Sequence, residues 1–120
     1  MKVYNWETIE QEQMATLIAR QVVHSQRMTI ARIHIKKGGL VPRHHHENEQ
    51  ISQVLEGKLR FVFNDTEIVA SPGDVIEIPS NESHEVVALE DSVALDIFQP
   101  LRGDWLSGDD AYLRTSSSDE

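Results

Sequence analysis

Hydrophobic and polar residues alternate over short stretches of this chain, which is the pattern of strands with one buried face. Between Lys58 and Phe63, for example, Leu59, Phe61 and Phe63 alternate with Lys58 and Arg60. Residues typical of turns separate such stretches at intervals of about 8–12 residues. The predicted strands cover residues 17–23, 27–35, 50–55, 58–63, 67–70, 75–78, 84–89 and 92–99. With so little predicted helix, the expected architecture is an all-β sandwich or barrel.

The last predicted strand, 92–99, has two faces of different character. One face carries three apolar side chains, which we expect to pack against a second sheet or another subunit. The other carries Ala94, Asp96 and Phe98, a combination of small, acidic and aromatic side chains that suits the lining of a cavity. A carboxylate in such a cavity can act as a general acid or base. The alternative for Asp96 is a surface salt bridge, and the alternative for Phe98 is ordinary core packing.

Outside the predicted strands, residues 6–12 are expected to form a helical turn or loop, and 105–114 a short helical turn packed on the β-structure. A chain of 120 residues suits one compact domain, and we assign residues 1–114 to it. The remaining residues, 115–120, are polar and are predicted to be disordered.

Composition excludes several classes of function. The chain has no cysteine, which rules out thiol catalysis, thiolate metal sites and disulfides. Its formal net charge of −9 argues against nucleic acids and anionic membrane surfaces as partners. The sequence shows no signal peptide and no apolar run approaching the roughly 20 residues needed to span a membrane. We therefore expect a cytoplasmic protein whose partner is a small molecule.

Three histidines and a glutamine form a candidate metal site. His44 and His46 lie on the same face of an extended strand, and Gln50 and His84 come from neighbouring predicted strands. If the four side chains converge, they can hold one divalent ion, and imidazoles suit nickel, zinc, iron or manganese. Gln50 would bind through a neutral carbonyl oxygen, so the ion would keep its full charge and act as a Lewis acid. The alternative is a set of ordinary surface histidines.

Residues 38–57 resemble the first motif of the cupins: a glycine, five residues, His-x-His, three residues, an acid, six residues and a glycine. Residues 73–84 resemble the second: a glycine, five residues, a proline and then a histidine. Gln50 replaces the acid of the first motif, and Asn81 replaces a glycine of the second. Asparagine tolerates the left-handed backbone conformation that glycine favours. The resemblance implies a cupin-type jelly-roll β-barrel or sandwich with a metal ion inside it.

Within the cupins, the chain is similar to the small pectin-degradation proteins of the KdgF family. Those proteins use His, His, Gln and His as metal ligands and carry an Asp-x-Phe-x-x-x-Arg motif, which here corresponds to Asp96, Phe98 and Arg102. The resemblance implies a metal-dependent enzyme that opens the ring of 4,5-unsaturated uronates, released from pectin and alginate, to the linear 4-deoxy-5-keto uronate. Arg102 would bind the substrate carboxylate, Asp96 would move a proton, and Phe98 would shape the cavity. An exposed loop arginine is the alternative for Arg102.

Two other functions are compatible with the same ligands. One is a cupin dioxygenase that uses iron and oxygen on a small substrate. The other is a non-enzymatic cupin that binds metal or sugar. A homodimer is expected, because small jelly rolls leave sheet edges and an apolar outer face to be covered. Residues 17–23 are expected to pair with, or pack on, the second subunit.

Overall fold

The computed structural model describes residues 1–114 and folds them into a sandwich of two antiparallel sheets. In chain order the strands are β1 (Glu12–Ala15), β2 (Ile18–His24), β3 (Thr29–Ile35), β4 (Leu40–His44), β5 (Glu49–Glu56), β6 (Leu59–Phe63), β7 (Glu67–Ala70), β8 (Val75–Ile78), β9 (His84–Ala88) and β10 (Ser92–Gln99). Two short helices follow, α1 (Gly103–Ser107) and α2 (Ala111–Arg114). One sheet has the order β1-β2-β3-β10-β5-β8 and the other β4-β9-β6-β7. The predicted all-β class is confirmed, while the predicted disorder of 115–120 lies outside the described residues.

Each predicted strand is present, with ends that differ by at most two residues. The hydrophobic pattern misses β1 and β4. β1 has only four residues and pairs irregularly with β2, and β4 contains Pro42, which cannot donate a ladder hydrogen bond. The expectation of one extended strand through both histidines needs a correction, because β4 ends at His44 and His46 follows in a loop.

Two turns require backbone conformations that few residues adopt. Gly57, between β5 and β6, has a φ of 85°, and a Cβ atom there would lie 2.3 Å from the carbonyl oxygen of Asp91. Only glycine fits such a position without displacing its neighbours. Asn81 has a φ of 65°, which confirms that asparagine takes the left-handed conformation expected at this position.

Apolar side chains from both sheets pack into a common core between them. Ile33 and Val54 contribute from the six-stranded sheet, and Leu59 and Phe61 from the four-stranded sheet. Trp105 of α1 joins the same cluster, so the predicted packing of the C-terminal segment on the β-structure is confirmed. The site described below occupies the part of this interior that the helices cover.

The N-terminal segment lies against β2. Residues 6–9 form a turn, and the side-chain amide of Gln21 donates hydrogen bonds to the carbonyl oxygens of Trp6 (2.6 Å) and Ile9 (2.7 Å). β2 pairs with β3 along one edge and, through residues 18–20, with β1 along the other. The predicted pairing or packing of residues 17–23 with a second subunit stays a prediction. Within residues 1–114, no helix is long and apolar enough to cross a membrane.

Candidate metal centre

Three histidines meet where β4 and β9 pair. His44 ends β4 and lies opposite His84, the first residue of β9. The ring centroids of these two residues are 4.4 Å apart, and that of His46 lies 5.6 Å from His44 and 5.5 Å from His84. The potential ligand nitrogens all lie within 4.8 Å of one another. The structure thus brings together the three histidines that the sequence singles out.

Backbone carbonyl groups fix which nitrogen each ring presents to the site. Each Nδ1 atom lies at hydrogen-bond distance from a carbonyl oxygen two residues away: His44 with Pro42 (2.8 Å), His46 with Asn48 (3.1 Å) and His84 with Glu82 (2.9 Å). A carbonyl oxygen can only accept, so Nδ1 carries the hydrogen in these contacts. The lone pair of each Nε2 is then left for a metal ion, which is the usual arrangement of ligating histidines.

Gln50 reaches the histidines from β5 and is held there by Ser52. The side-chain Nε2 of Gln50 donates to Oγ of Ser52 (2.9 Å), and Oγ of Ser52 donates to Oδ1 of Asp96 (2.7 Å). This arrangement turns the amide so that its Oε1 lies 3.0 Å from Nε2 of His46. All four predicted ligands are therefore neighbours, and their role as ligands stays a prediction.

The contact between Nε2 of His46 and Oε1 of Gln50 is of the kind expected when a cation lies beside both atoms. A neutral imidazole carries one N–H, yet the two ring nitrogens of His46 face two oxygens, those of Asn48 and Gln50. One nitrogen lone pair therefore faces an oxygen lone pair with no hydrogen between them. A divalent ion between Nε2 and Oε1 would satisfy both atoms, and neutral nitrogen and oxygen donors suit such an ion.

Burial keeps these imidazoles neutral. It lowers the pKa of His44 to about 3, with a further lowering from His84 and a partial offset from the carbonyl of Pro42. It also lowers the pKa of His46 to about 4, and the charge of Arg102 acts in the same direction. The pKa of His84 is lowered too, again mainly by burial. At neutral pH, protons therefore compete little with a metal for these rings.

Asp96 extends from β10 into the cavity that the histidines border. Burial raises the pKa of its carboxyl group to about 6, against the opposing effects of the Ser52 hydrogen bond and the charge of Arg102. A carboxyl group with this pKa can both accept and donate a proton near neutral pH. Ala94 and Phe98 line the same cavity, so this face of β10 lies where the alternation predicts it.

Arg102 is 1% exposed, which contradicts the alternative of an exposed loop arginine. Its Nε donates to Oδ1 of Asp104 (2.9 Å), and its Nη2 donates to Oδ2 of Asp104 (2.6 Å) and to the hydroxyl of Tyr112 (2.9 Å). The guanidinium carbon lies 4.7 Å from the ring centre of Phe98 and 4.5 Å from that of Trp105. Although burial opposes it, the hydrogen bond to Asp104 raises the pKa of Arg102. The Nε and Nη2 atoms of Arg102, which could pair with a substrate carboxylate, are therefore already paired with the carboxylate of Asp104.

The two C-terminal helices cover the cavity with aromatic rings. Tyr112 of α2 stacks on His44, with ring centroids 4.4 Å apart and planes 24° apart. Trp105 of α1 packs edge-on against Phe98 at 5.2 Å, and Phe98 packs edge-on against His46 at 5.7 Å. These contacts leave the candidate ligands with little access to solvent from this side.

Two spaces of different size adjoin the site. The covered cavity has a volume of about 50 Å³, which holds only a few water molecules, since each needs roughly 10–15 Å³ of such space. A groove of about 440 Å³ lies outside it, bordered among others by His46, Asn48 and Asp104. Small-molecule pockets are typically about 300–1,000 Å³, so only the groove has the size of a ligand site.

The sequence pattern does not identify four polar residues of the site, namely Asn48, Ser52, Asp104 and Tyr112. Ser52 shares a strand face with Gln50, so the alternation of β5 carried a usable signal. The side-chain amide of Asn48 donates to the carbonyl oxygens of Pro100 and Leu101 and so ties the ligand loop to the chain before Arg102. No local pattern signals this contact, because 52 residues separate Asn48 from Pro100.

Residues 31–98, more than half of the chain, match the cupin domain family. The chain is a cupin. This membership confirms the predicted jelly-roll sandwich, and the histidine triad inside it makes this cupin suited to a divalent metal ion.

Two solved cupin structures share most of the fold. KdgF from Halomonas sp. superposes with a TM-score of 0.82 at 26% identity, and the alignment covers 87% of this cupin and 99% of that chain. An RmlC-like cupin from Shewanella frigidimarina NCIMB 400 superposes with a TM-score of 0.80 at 25% identity, covering 85% of this cupin and 93% of that chain. The predicted similarity to small KdgF-like cupins is thereby confirmed.

A relative with a different name matches in sequence. The oxalate-binding protein of Thermotoga maritima is 32% identical over 75 residues, which are 62% of this cupin and 62% of that protein. This cupin therefore spans less than two thirds of the length of that relative, and the two share a cupin core rather than a whole chain.

Proposed function

We propose that this cupin is a metal-dependent enzyme that opens the ring of 4,5-unsaturated uronates to the linear 4-deoxy-5-keto uronate. One observation carries the proposal: Asp96 and Arg102 line the same cavity as the candidate ligands His44, Gln50 and His84. The similarity to KdgF along 99% of that chain supports it, since the sequence motif implies this reaction. A proton carrier and an anion anchor beside a metal site are what an isomerisation of a sugar acid needs.

The reaction is an isomerisation, so the protein has to move protons without net gain or loss. The anomeric hydroxyl loses a proton as the bond from the anomeric carbon to the ring oxygen breaks, and the former ring oxygen becomes the C5 enol oxygen. That oxygen takes up the proton that the anomeric hydroxyl released, and the enol then becomes a ketone as its hydroxyl loses this proton and C4 takes one up. Asp96, with a pKa of about 6, suits both removal and delivery near neutral pH.

The other residues bind and orient the substrate. Arg102 binds the substrate carboxylate, and this charge pairing lets an acidic protein take an acidic substrate. Phe98 is 2% exposed and forms an apolar wall that excludes water from the enol. A divalent ion held by His44, His46, Gln50 and His84 would polarise a substrate oxygen as a Lewis acid.

The test follows loss of the enol absorbance of unsaturated galacturonate, using protein purified without a histidine tag and supplied with metal. We expect clear acceleration over buffer, abolished by a chelator and restored by metal. Asp96→Asn is expected to lower kcat by about 100-fold or more while its metal content is unchanged. Asp65→Asn, at an exposed turn, is the control and should keep the parental rate. No acceleration by metal-loaded parental protein would reject the proposal.

A second candidate is carboxylate binding without turnover, which the match to the oxalate-binding protein favours. The same site would then hold metal and a small acid as its final complex. Calorimetry with oxalate, run beside the turnover assay, separates the two functions: tight binding without enol loss supports this candidate. Oxygen uptake that depends on ferrous iron would instead support the cupin dioxygenase.

A further inference from the structure

Arg102, at the edge of the cavity, forms an ion pair with Asp104. Two parallel hydrogen bonds, of 2.9 Å and 2.6 Å, join the guanidinium to the carboxylate. This is the geometry in which arginine binds a free carboxylate ligand. The two partners differ in burial, since the side chain of Arg102 is 1% exposed and that of Asp104 is 32% exposed.

The pair also stands between the two spaces at the site. Arg102 borders the covered cavity of about 50 Å³, whereas Asp104 borders the outer groove of about 440 Å³. His46 borders the groove as well, so a molecule in the groove already approaches a candidate ligand. A sugar acid fits the groove but not the cavity. Pairing of its carboxylate with both Nε and Nη2 of Arg102 therefore requires Asp104 to leave.

We propose that Asp104 is a specificity-determining residue that occupies Arg102 until the carboxylate of a ligand in the groove replaces it. The proposal rests on the proposed function for the kind of ligand, an uronate. The exchange keeps the buried guanidinium paired throughout, because one carboxylate takes the place of another. The displaced Asp104, already one third exposed at the groove, returns to solvent.

The same exchange rejects neutral sugars. A ligand without a carboxylate cannot replace Asp104, and pulling Asp104 away without a substitute would leave Arg102 buried and unpaired, which is strongly unfavourable. Asp104 thus makes opening of the site conditional on the charge of the ligand. Trp105 follows Asp104 in α1 and its ring lies 4.5 Å from the guanidinium carbon of Arg102, so replacement of Asp104 by a ligand changes the surroundings of this ring.

Fluorescence of Trp105 reports this exchange. Trp6→Phe leaves Trp105 as the sole tryptophan of the chain. This protein, supplied with Zn²⁺, is titrated with galacturonate, which lacks the double bond of the proposed substrate, and in parallel with galactose as the neutral counterpart. We expect galacturonate to shift Trp105 emission to longer wavelength with saturation, and galactose to leave it unchanged. Emission that ignores galacturonate, or that responds equally to both sugars, would overturn the proposal.

Variants of Asp104 test the competition itself. Asp104→Asn removes the competing charge and is expected to lower the galacturonate concentration for half-maximal shift by at least about fivefold. Asp104→Glu restores a carboxylate and should return the midpoint towards the parental value. Asp109→Asn removes the same charge from an exposed position that contacts Ser107 instead, and it should behave as the parent. Parental or weaker binding by Asp104→Asn contradicts the proposal.

Because these experiments measure binding, they can fail independently of the turnover assay. An intact response to galacturonate with no turnover of unsaturated uronates would reject the proposed reaction and leave the role of Asp104 standing. Turnover of unsaturated uronates with no effect of the Asp104 variants on binding would support the proposed reaction and reject the role of Asp104.

Discussion

One hydroxyl group connects the candidate metal ligand Gln50 with the candidate acid Asp96. Ser52 accepts a hydrogen bond from the amide of Gln50 and donates one to the carboxyl group of Asp96, and it is fully buried. The first bond directs the carbonyl oxygen of Gln50 towards His46, and the second favours the ionised form of Asp96. A single side chain thereby sets both the orientation of a ligand and the acidity of its neighbour.

We predict that Ser52→Ala raises the pKa of Asp96 above about 6. In the metal-free protein, the folded state holds this proton more tightly than the unfolded state. This proton contributes its full stabilisation of the folded state below the ordinary carboxyl pKa. The contribution is lost as pH rises through the pKa that Asp96 has in the folded state. Losing the Ser52 hydrogen bond enlarges that loss, so the stability deficit of Ser52→Ala should be about 1–2 kcal/mol larger at about pH 8 than at about pH 5.

Urea unfolding of the metal-free proteins at both pH values measures this difference. With pKa values of about 3 and 4, His44 and His46 stay neutral in the folded state between these pH values, so their contribution cancels in the comparison. Adding Asp96→Asn to both proteins is the control, because it should make the deficit independent of pH. If Asp96 is intact and the stability deficit of Ser52→Ala is equal at both pH values, Ser52 does not influence Asp96.

At the residue scale, the alternation of apolar and polar residues predicts where a side chain lies only when the residue is in a strand. The alternation along 92–99 is sufficient to predict that Asp96 and Phe98 share a cavity face, and the structure agrees. Arg102 and Asp104 follow the end of β10, where no period applies, so their pairing depends on how the chain turns. The motif identifies Arg102, but its pairing with Asp104 is visible only in the folded structure.

At the scale of elements, buried charge fastens the C-terminal helices to the sheet. Asp110, at 0% exposed, accepts a hydrogen bond from Nη2 of Arg20 in β2 at 2.6 Å and one from Arg114 at 3.1 Å. The guanidinium of Arg20 also lies 4.4 Å from the ring centre of Trp105. Although burial would raise it, the hydrogen bonds from Arg114 and Arg20 hold the pKa of Asp110 below its usual value.

We predict that Asp110→Ala lowers the free energy of unfolding by about 3 kcal/mol, because it leaves Arg20 buried with Glu12 as its remaining ion-pair partner within residues 1–114. Chemical denaturation measures this change. Asp109→Ala, next to it but exposed, is the control and should stay within about 0.5 kcal/mol of the parent. A loss below about 1 kcal/mol for Asp110→Ala would mean that the pair does not fasten the helices.

The elements that sequence reasoning missed share a cause. β1 is a short edge strand of only four residues, and β4 is interrupted by proline, so tertiary pairing rather than local preference forms both. Strands with clear alternation, such as β6 and β10, were located to within a residue. β4 matters most for function, because its end positions His44 opposite His84.

At the scale of the whole molecule, the six-stranded sheet keeps an apolar outer face. Val93, Leu95 and Ile97 of β10 lie on this face and are only half-buried, while Val75 of the edge strand β8 is 61% exposed. The N-terminal turn lies against β2 and contacts Gln21 there. Exposed apolar side chains on a sheet face are common at protein interfaces, so the homodimer stays our prediction.

Sedimentation analysis tests this prediction. We expect the parent to sediment as a dimer at micromolar concentration and Ile97→Glu to sediment as a monomer, because a carboxylate in the centre of the interface would be desolvated. Ile68→Glu is the matched control, since Ile68 is 41% exposed on the other sheet and should not affect association. A monomeric parent would contradict the prediction.

The order of residues along the chain has a consequence for how the site is built during translation. All four candidate ligands lie between residues 44 and 84, whereas the rings of Trp105 and Tyr112 that cover them come later. A nascent chain therefore carries its complete ligand set before it carries any part of the cover.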